Sequence, residues 1–95
     1  MHNEFSTTLS RMLKVANKSA SEVAWLSGVD SAYLTRLLSG EKRHPSPETI
    51  MKLWLGIVTD RALIREHPTM THGLAELLEA AAITAAAFKE TEKRR

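Results

Sequence analysis

The sequence predicts an all-α protein, a bundle of five helices with an additional helix at the C-terminus. Three observations lead there. No window alternates apolar and polar residues as a half-buried strand must. Apolar residues recur instead at intervals of three and four, the spacing of one helix face. The 4 glycines and 3 prolines stand mostly at the ends of those runs, where they start or stop helices. A chain of 95 residues with 43% apolar content can close one small core.

Each element follows from a local signal. Phe5 and Ser6 open the first helix, with Leu9, Met12, Leu13 and Ala16 inward, and Asn17 and Lys18 end it. Ser19 with Glu22 three residues later forms a capping-box pattern for the second helix, whose inward residues are Val23 and Ala24. Gly28 stops that helix, and Asp30 is a natural N-cap for the third. The third helix carries Leu34, Leu37 and Leu38 on one side and Ser31, Ala32, Thr35 and Arg36 on the other, and Gly40 ends it. Glu41 to His44 form a polar loop. Ser46 and Pro47 start the fourth helix, with Ile50, Leu53, Trp54 and Ile57 buried. Thr59 or Asp60 caps a short fifth helix, Arg61 to Glu66, which Pro68 breaks. From about Thr71 to Lys93 the chain is rich in Ala, Leu and Glu, all good helix formers.

Composition removes several function classes. Without cysteine there is no disulfide scaffold, thiolate metal site or cysteine nucleophile. His67 and His72 have no suitably spaced third ligand, so no metal is expected. No G-x-S-x-G elbow, P-loop or dinucleotide fingerprint occurs, and the expectation is neither an enzyme nor a cofactor binder. The start MHNEFSTT lacks a basic segment followed by an apolar run, and the most apolar stretch, Ala80 to Phe88, is too short for a membrane span. The expected location is cytoplasmic. The formal net charge is +2. Residues 1–57 hold seven basic and five acidic side chains, residues 58–95 six of each, so the excess lies in the first part.

The informative stretch is Ser19 to Gly40, SASEVAWLSGVDSAYLTRLLSG. Two short helices flank a tight turn at Gly28 and Val29, with a small residue, Ala24, where the helices cross. This is the pattern of a helix-turn-helix, whose second helix enters the DNA major groove. The segment from about Thr7 to Ile57 resembles the helix-turn-helix domain of the Cro and phage-repressor type, also called the xenobiotic-response-element family. Ser19, Glu22, Val23-Ala24, Gly28-Val29, Ser31-Ala32-Tyr33-Leu34, Arg36-Leu37, Gly40, Pro45-Ser46-Pro47-Glu48-Thr49 and Leu53 carry the likeness in order. The resemblance implies a five-helix lambda-repressor-like helix-turn-helix bundle over residues 1–67. It also implies sequence-specific binding of double-stranded DNA by a dimer, and a role in transcription regulation. Ala20 stands where the family often has a phosphate-binding glutamine, and Trp54 where a small residue is usual. Trp54 is expected to be buried, filling space left by Ser27 and Gly56.

On this reading Ser31, Ala32, Thr35 and Arg36 face the bases. Arg36 is the strong reader, since a guanidinium bonds both acceptors of guanine. Ser31 and Thr35 can bond bases or phosphates, and Ala32 can touch a thymine methyl. Phosphates fall to Tyr33, Ser39, Lys42, Arg43 and His44, and to the helix N-terminus at Ala20 and Ser21. Neutralising about four phosphates makes the affinity salt-dependent.

Residues 68–95 are read as an Ala/Leu-rich helix that dimerises or packs on the core. Leu74, Leu78, Ala81, Ala85 and Phe88 step by heptad spacing, and Leu77 widens the seam. The sequence thus points to a dimeric regulator, a repressor, with room for a reader and a dimer handle but hardly for a sensor, so that a signal is expected to come through a signalling protein as partner. Two rivals share the fold: an antitoxin that holds its toxin with the last helix, and a protein-interaction module that has lost DNA binding.

Overall fold

The computed structural model describes residues 3–42, 45–59 and 61–93. Among these the chain is all-α, with six α-helices and one short 3-10 turn. They are α1 (Glu4–Ala16), α2 (Ala20–Ser27), α3 (Ser31–Ser39), α4 (Pro47–Ile57), α5 (Arg61–Glu66), the 3-10 turn Pro68–His72, and α6 (Gly73–Lys93).

The caps explain the boundaries. Asn3 begins α1, ahead of the expected start at Phe5 and Ser6. Its side chain accepts from the Ser6 amide at 2.8 Å, while the Asn3 amide donates to Ser6 Oγ at 2.8 Å. This capping box uses Ser where the usual pattern has Glu or Gln, so the template missed it. Asn17 closes α1 in the left-handed conformation at φ 55. Ser19 Oγ accepts from the Glu22 amide at 3.1 Å, Asp30 Oδ2 from Tyr33 at 3.0 Å and Ser46 Oγ from Thr49 at 3.1 Å, so three expected N-caps are in place. Gly28 closes α2 at φ 74, a backbone conformation that Cβ-bearing residues rarely adopt. Thr59 Oγ1 is engaged elsewhere, accepting from Lys18 Nζ at 2.8 Å, and Asp60 lies outside the described residues.

The core joins Phe5, Leu9, Met12 and Leu13 of α1 to Val23 and Ala24 of α2, Leu34 and Leu37 of α3, and Ile50, Leu53 and Ile57 of α4. The last helix shares that core. α6 lies on α1 and α4, with Leu77, Ala80 and Thr84 buried. The Phe5 amide, in the first turn of α1, donates to Thr84 Oγ1 at 3.1 Å. A buried hydroxyl and an amide that the helix cannot serve thus satisfy each other. Arg11 pairs with Glu76 on the surface above. Leu77 is therefore not part of an outward seam. It keeps helical register with Ala80 and Thr84, on the face that the chain itself covers. Leu74, Ala81, Ala85 and Phe88 lie half-buried on one flank, and Leu78 stays 40% exposed.

Trp54 departs from expectation. It is half-buried, and it does not fill a space between Ser27 and Gly56. No such space exists: a Cβ at Gly56 would stand 2.9 Å from Ser27 Cβ and 3.1 Å from its backbone nitrogen. Helix α2 closes that gap with its own backbone. The Trp54 ring turns the other way, towards the start of α6, where a Cβ on Gly73 would meet Nε1 at 2.9 Å. Trp54 Nε1 is enclosed there and has no hydrogen-bond partner among the described residues.

Gly56→Ala forces α2 away from α4. The better helix propensity of alanine, about 1 kcal/mol, does not offset overpacking against a backbone, which costs roughly 1–3 kcal/mol. We expect a net loss of stability in urea denaturation; an unchanged or raised midpoint would contradict the close approach.

Candidate nucleic-acid interface

Two contacts hold α2 and α3 in place. Gly56 seats α2 on α4, and the fully buried Leu34 and Leu37 seat α3 in the core. The opposite side of α3 is left outward, with Ser31, Ala32, Thr35, Arg36 and Ser39 all exposed. The structure thus brings the expected base-reading residues onto one open helix face. Tyr33 sits at its edge, half-buried against the core.

The polar groups on this face are partly committed. Thr35 Oγ1 donates to the Ser31 carbonyl at 2.9 Å, one turn back in the same helix. Ser39 Oγ donates to the Arg36 carbonyl at 3.1 Å and accepts from the Glu41 amide at 3.4 Å. The Lys42 amide donates to the same Arg36 carbonyl at 3.1 Å, which folds the chain back under α3 and leaves the Lys42 side chain exposed beside it. Arg43 and His44 lie outside the described residues. Ala20 and Ser21 form the first turn of α2, where backbone amides have no carbonyl partner within the helix. Ser21 is exposed and Ala20 half-buried.

The local charge is less favourable than the sequence total. From Ser19 to Lys42 the cations are Arg36 and Lys42, while Glu22, Asp30 and Glu41 are anions, all exposed. Asp30 is spent as the cap of α3. Lys18 is turned away: its Nζ donates to the Gly56 and Ile57 carbonyls at 3.2 and 2.9 Å, capping the C-terminus of α4.

Sequence reasoning left some surface residues unassigned. Trp25 on α2 is 85% exposed, with Leu26 beside it at 41%. On α4, Met51 and Leu55, one turn apart, are 51% and 52% exposed. The signal was available for Trp25 and Leu26: both fall outside the inward pair Val23 and Ala24. His67 and His72 are exposed, and no group of three His, Asp or Glu side chains gathers as a metal site among the described residues. No helix of the described residues is long and apolar enough to cross a membrane. None of the family models, curated proteins or solved structures compared with the chain matches it.

Asp30 can be tested without DNA. Asp30→Ala removes the cap of α3 and is expected to lower stability by about 1 kcal/mol, with the loss read in thermal melts. An unchanged melt would show that Asp30 is not the cap that starts this helix.

Proposed function

We propose that the chain is a sequence-specific DNA-binding transcriptional regulator, a repressor that occupies operator DNA as a dimer with Ser31–Ser39 in the major groove. The observation that carries this reading is the division of α3: Leu34 and Leu37 are fully buried, while Ser31, Ala32, Thr35 and Arg36 stand together on the open side. A rigidly seated helix with a polar outer face suits the major groove, which admits one α-helix. The resemblance of Thr7 to Ile57 to the Cro and phage-repressor domains supports it.

Each residue has a role in this mode. Arg36 bonds guanine O6 and N7. Lys42 reaches a phosphate at one end of α3, and Arg43 and His44, outside the described residues, are assigned the same role from the sequence. The amides of Ala20 and Ser21 meet a phosphate at the other side, and Ser39 and Tyr33 lie along the rim. These phosphate contacts set register and orientation but carry no sequence information. Two protomers related by a two-fold axis place their α3 helices one DNA turn apart, about 34 Å. The half-buried flank of α6, with exposed Leu78, supplies the self-association surface, and Met51 and Leu55 on α4 offer further apolar area.

Selection of bound duplexes from a random pool tests the reading. A palindromic enriched motif is expected, and no enrichment at low salt would sink it. On the selected site, Arg36→Ala is expected to cost about 1–3 kcal/mol and to relax one base position. Lys42→Ala should weaken all sequences alike and lower the salt slope by about 1. Leu78→Glu should convert dimer to monomer in sedimentation analysis with helicity unchanged; a dimer that survives it places self-association elsewhere.

A second reading draws on Trp25. A tryptophan 85% exposed suits a protein partner, since buried tryptophans dominate interface energetics. An antitoxin of a toxin–antitoxin pair, or an interaction module that has lost DNA binding, fits that surface. For the module, Arg36→Ala and Lys42→Ala leave DNA affinity at its non-specific level.

A further inference from the structure

We propose that Thr35 reads DNA through its methyl group, not its hydroxyl, and that with Ala32 it forms an apolar patch selecting thymine beside the guanine taken by Arg36. The inference rests on the DNA-binding reading above and names the base preference of that same face. Its basis is the bond from Thr35 Oγ1 to the Ser31 carbonyl at 2.9 Å, which commits the hydroxyl proton to the helix backbone. The side chain then has no donor to offer a base, only its γ-methyl and the acceptor lone pairs of an oxygen turned back to the helix. Ser39, at the C-terminal end of the same face, also turns its hydroxyl to a backbone carbonyl, that of Arg36 at 3.1 Å.

Helix geometry sets Thr35 and Ala32 side by side. They are three residues apart, both exposed, and on adjacent turns of the outer face. Ala32 offers only a methyl. The centre of the face therefore presents two methyl groups. A thymine C5-methyl is the one apolar feature that a base pair shows in the major groove, and threonine and alanine methyls suit it. Arg36 lies one turn on from Ala32, with Cβ atoms about 5–6 Å apart in this spacing. Base pairs rise about 3.4 Å each, so the thymine falls one or two pairs from the guanine. This arrangement reads a base without adding charge, in a stretch, Ser19 to Lys42, whose exposed cations Arg36 and Lys42 are outnumbered by the exposed anions Glu22, Asp30 and Glu41.

The test measures fluorescence anisotropy with the full chain and the duplex enriched from a random pool, replacing thymines near the Arg36 guanine one at a time by uracil, which lacks the methyl. One position is expected to lose about fourfold in affinity, the equivalent of one buried methyl-sized group. Thr35→Val keeps the methyl and should retain both affinity and uracil sensitivity. Thr35→Ser keeps the hydroxyl and should bind the thymine duplex up to about fourfold more weakly, with the penalty for uracil at that position reduced to what Ala32 alone supplies. Circular dichroism checks that both variants fold. Loss of affinity in Thr35→Val with Thr35→Ser intact would assign reading to the hydroxyl and overturn the proposal, as would indifference to uracil at every position. If a motif is enriched and these arms fail, only this inference falls. If no duplex is bound specifically, the DNA-binding reading falls with it.

Discussion

The close approach of α2 to α4 governs the rest of the structure. Gly56 has no Cβ, and that vacancy is where Ser27 rests. Just beyond it, Lys18 from the α1–α2 connection donates to the Gly56 and Ile57 carbonyls. The end of α4 is thus held twice, by shape from α2 and by a charge-assisted cap from the preceding loop. Ser27 is the last residue of α2, one before the turn at Gly28. Fixing it fixes the point from which α3 departs. The outward face of α3 inherits its direction from this contact and from the burial of Leu34 and Leu37.

The same economy appears at the other side of the bundle. α6 closes over α1 with Leu77 and Ala80 as apolar contacts and Thr84 as the acceptor for an amide that α1 cannot serve itself. A helix drawn on in this way contributes to stability first. For the proposed dimer it leaves the half-buried flank with Leu78, without Leu77. Trp54 lies where α4 meets the start of α6, and the glycine at position 73 makes room for its ring.

Electrostatics constrain the proposed DNA-reading face more than the net charge suggests. The +2 excess lies in residues 1–57, yet three anions stand close to α3 in the chain and Lys18 is used inside the fold. A face of this kind has little long-range attraction to spare. Recognition in the proposed mode then leans on one guanidinium, on apolar contact and on DNA shape, with the dimer doubling each contribution.

The amino-acid sequence by itself determined the helices, their caps at Ser19, Asp30 and Ser46, the turn at Gly28, and the division of α3 into buried leucines and outward small polar residues. These are local or periodic properties: a cap needs its partner three residues away, and a helix face repeats every turn. The sequence missed the Asn3–Ser6 box because Ser replaces the usual acid or amide there. It also misplaced Trp54 and Leu77, and could not show that the Thr35 hydroxyl is bonded to the helix rather than open. Tertiary structure decided these points, along with the roles of Gly56, Lys18 and Thr84, whose partners lie 29, 38 and 79 positions away in sequence. Spacing along a chain cannot encode which of two apolar flanks a neighbouring helix will cover. That depends on where backbones approach most closely, and in this chain a missing Cβ at Gly56 sets one such approach.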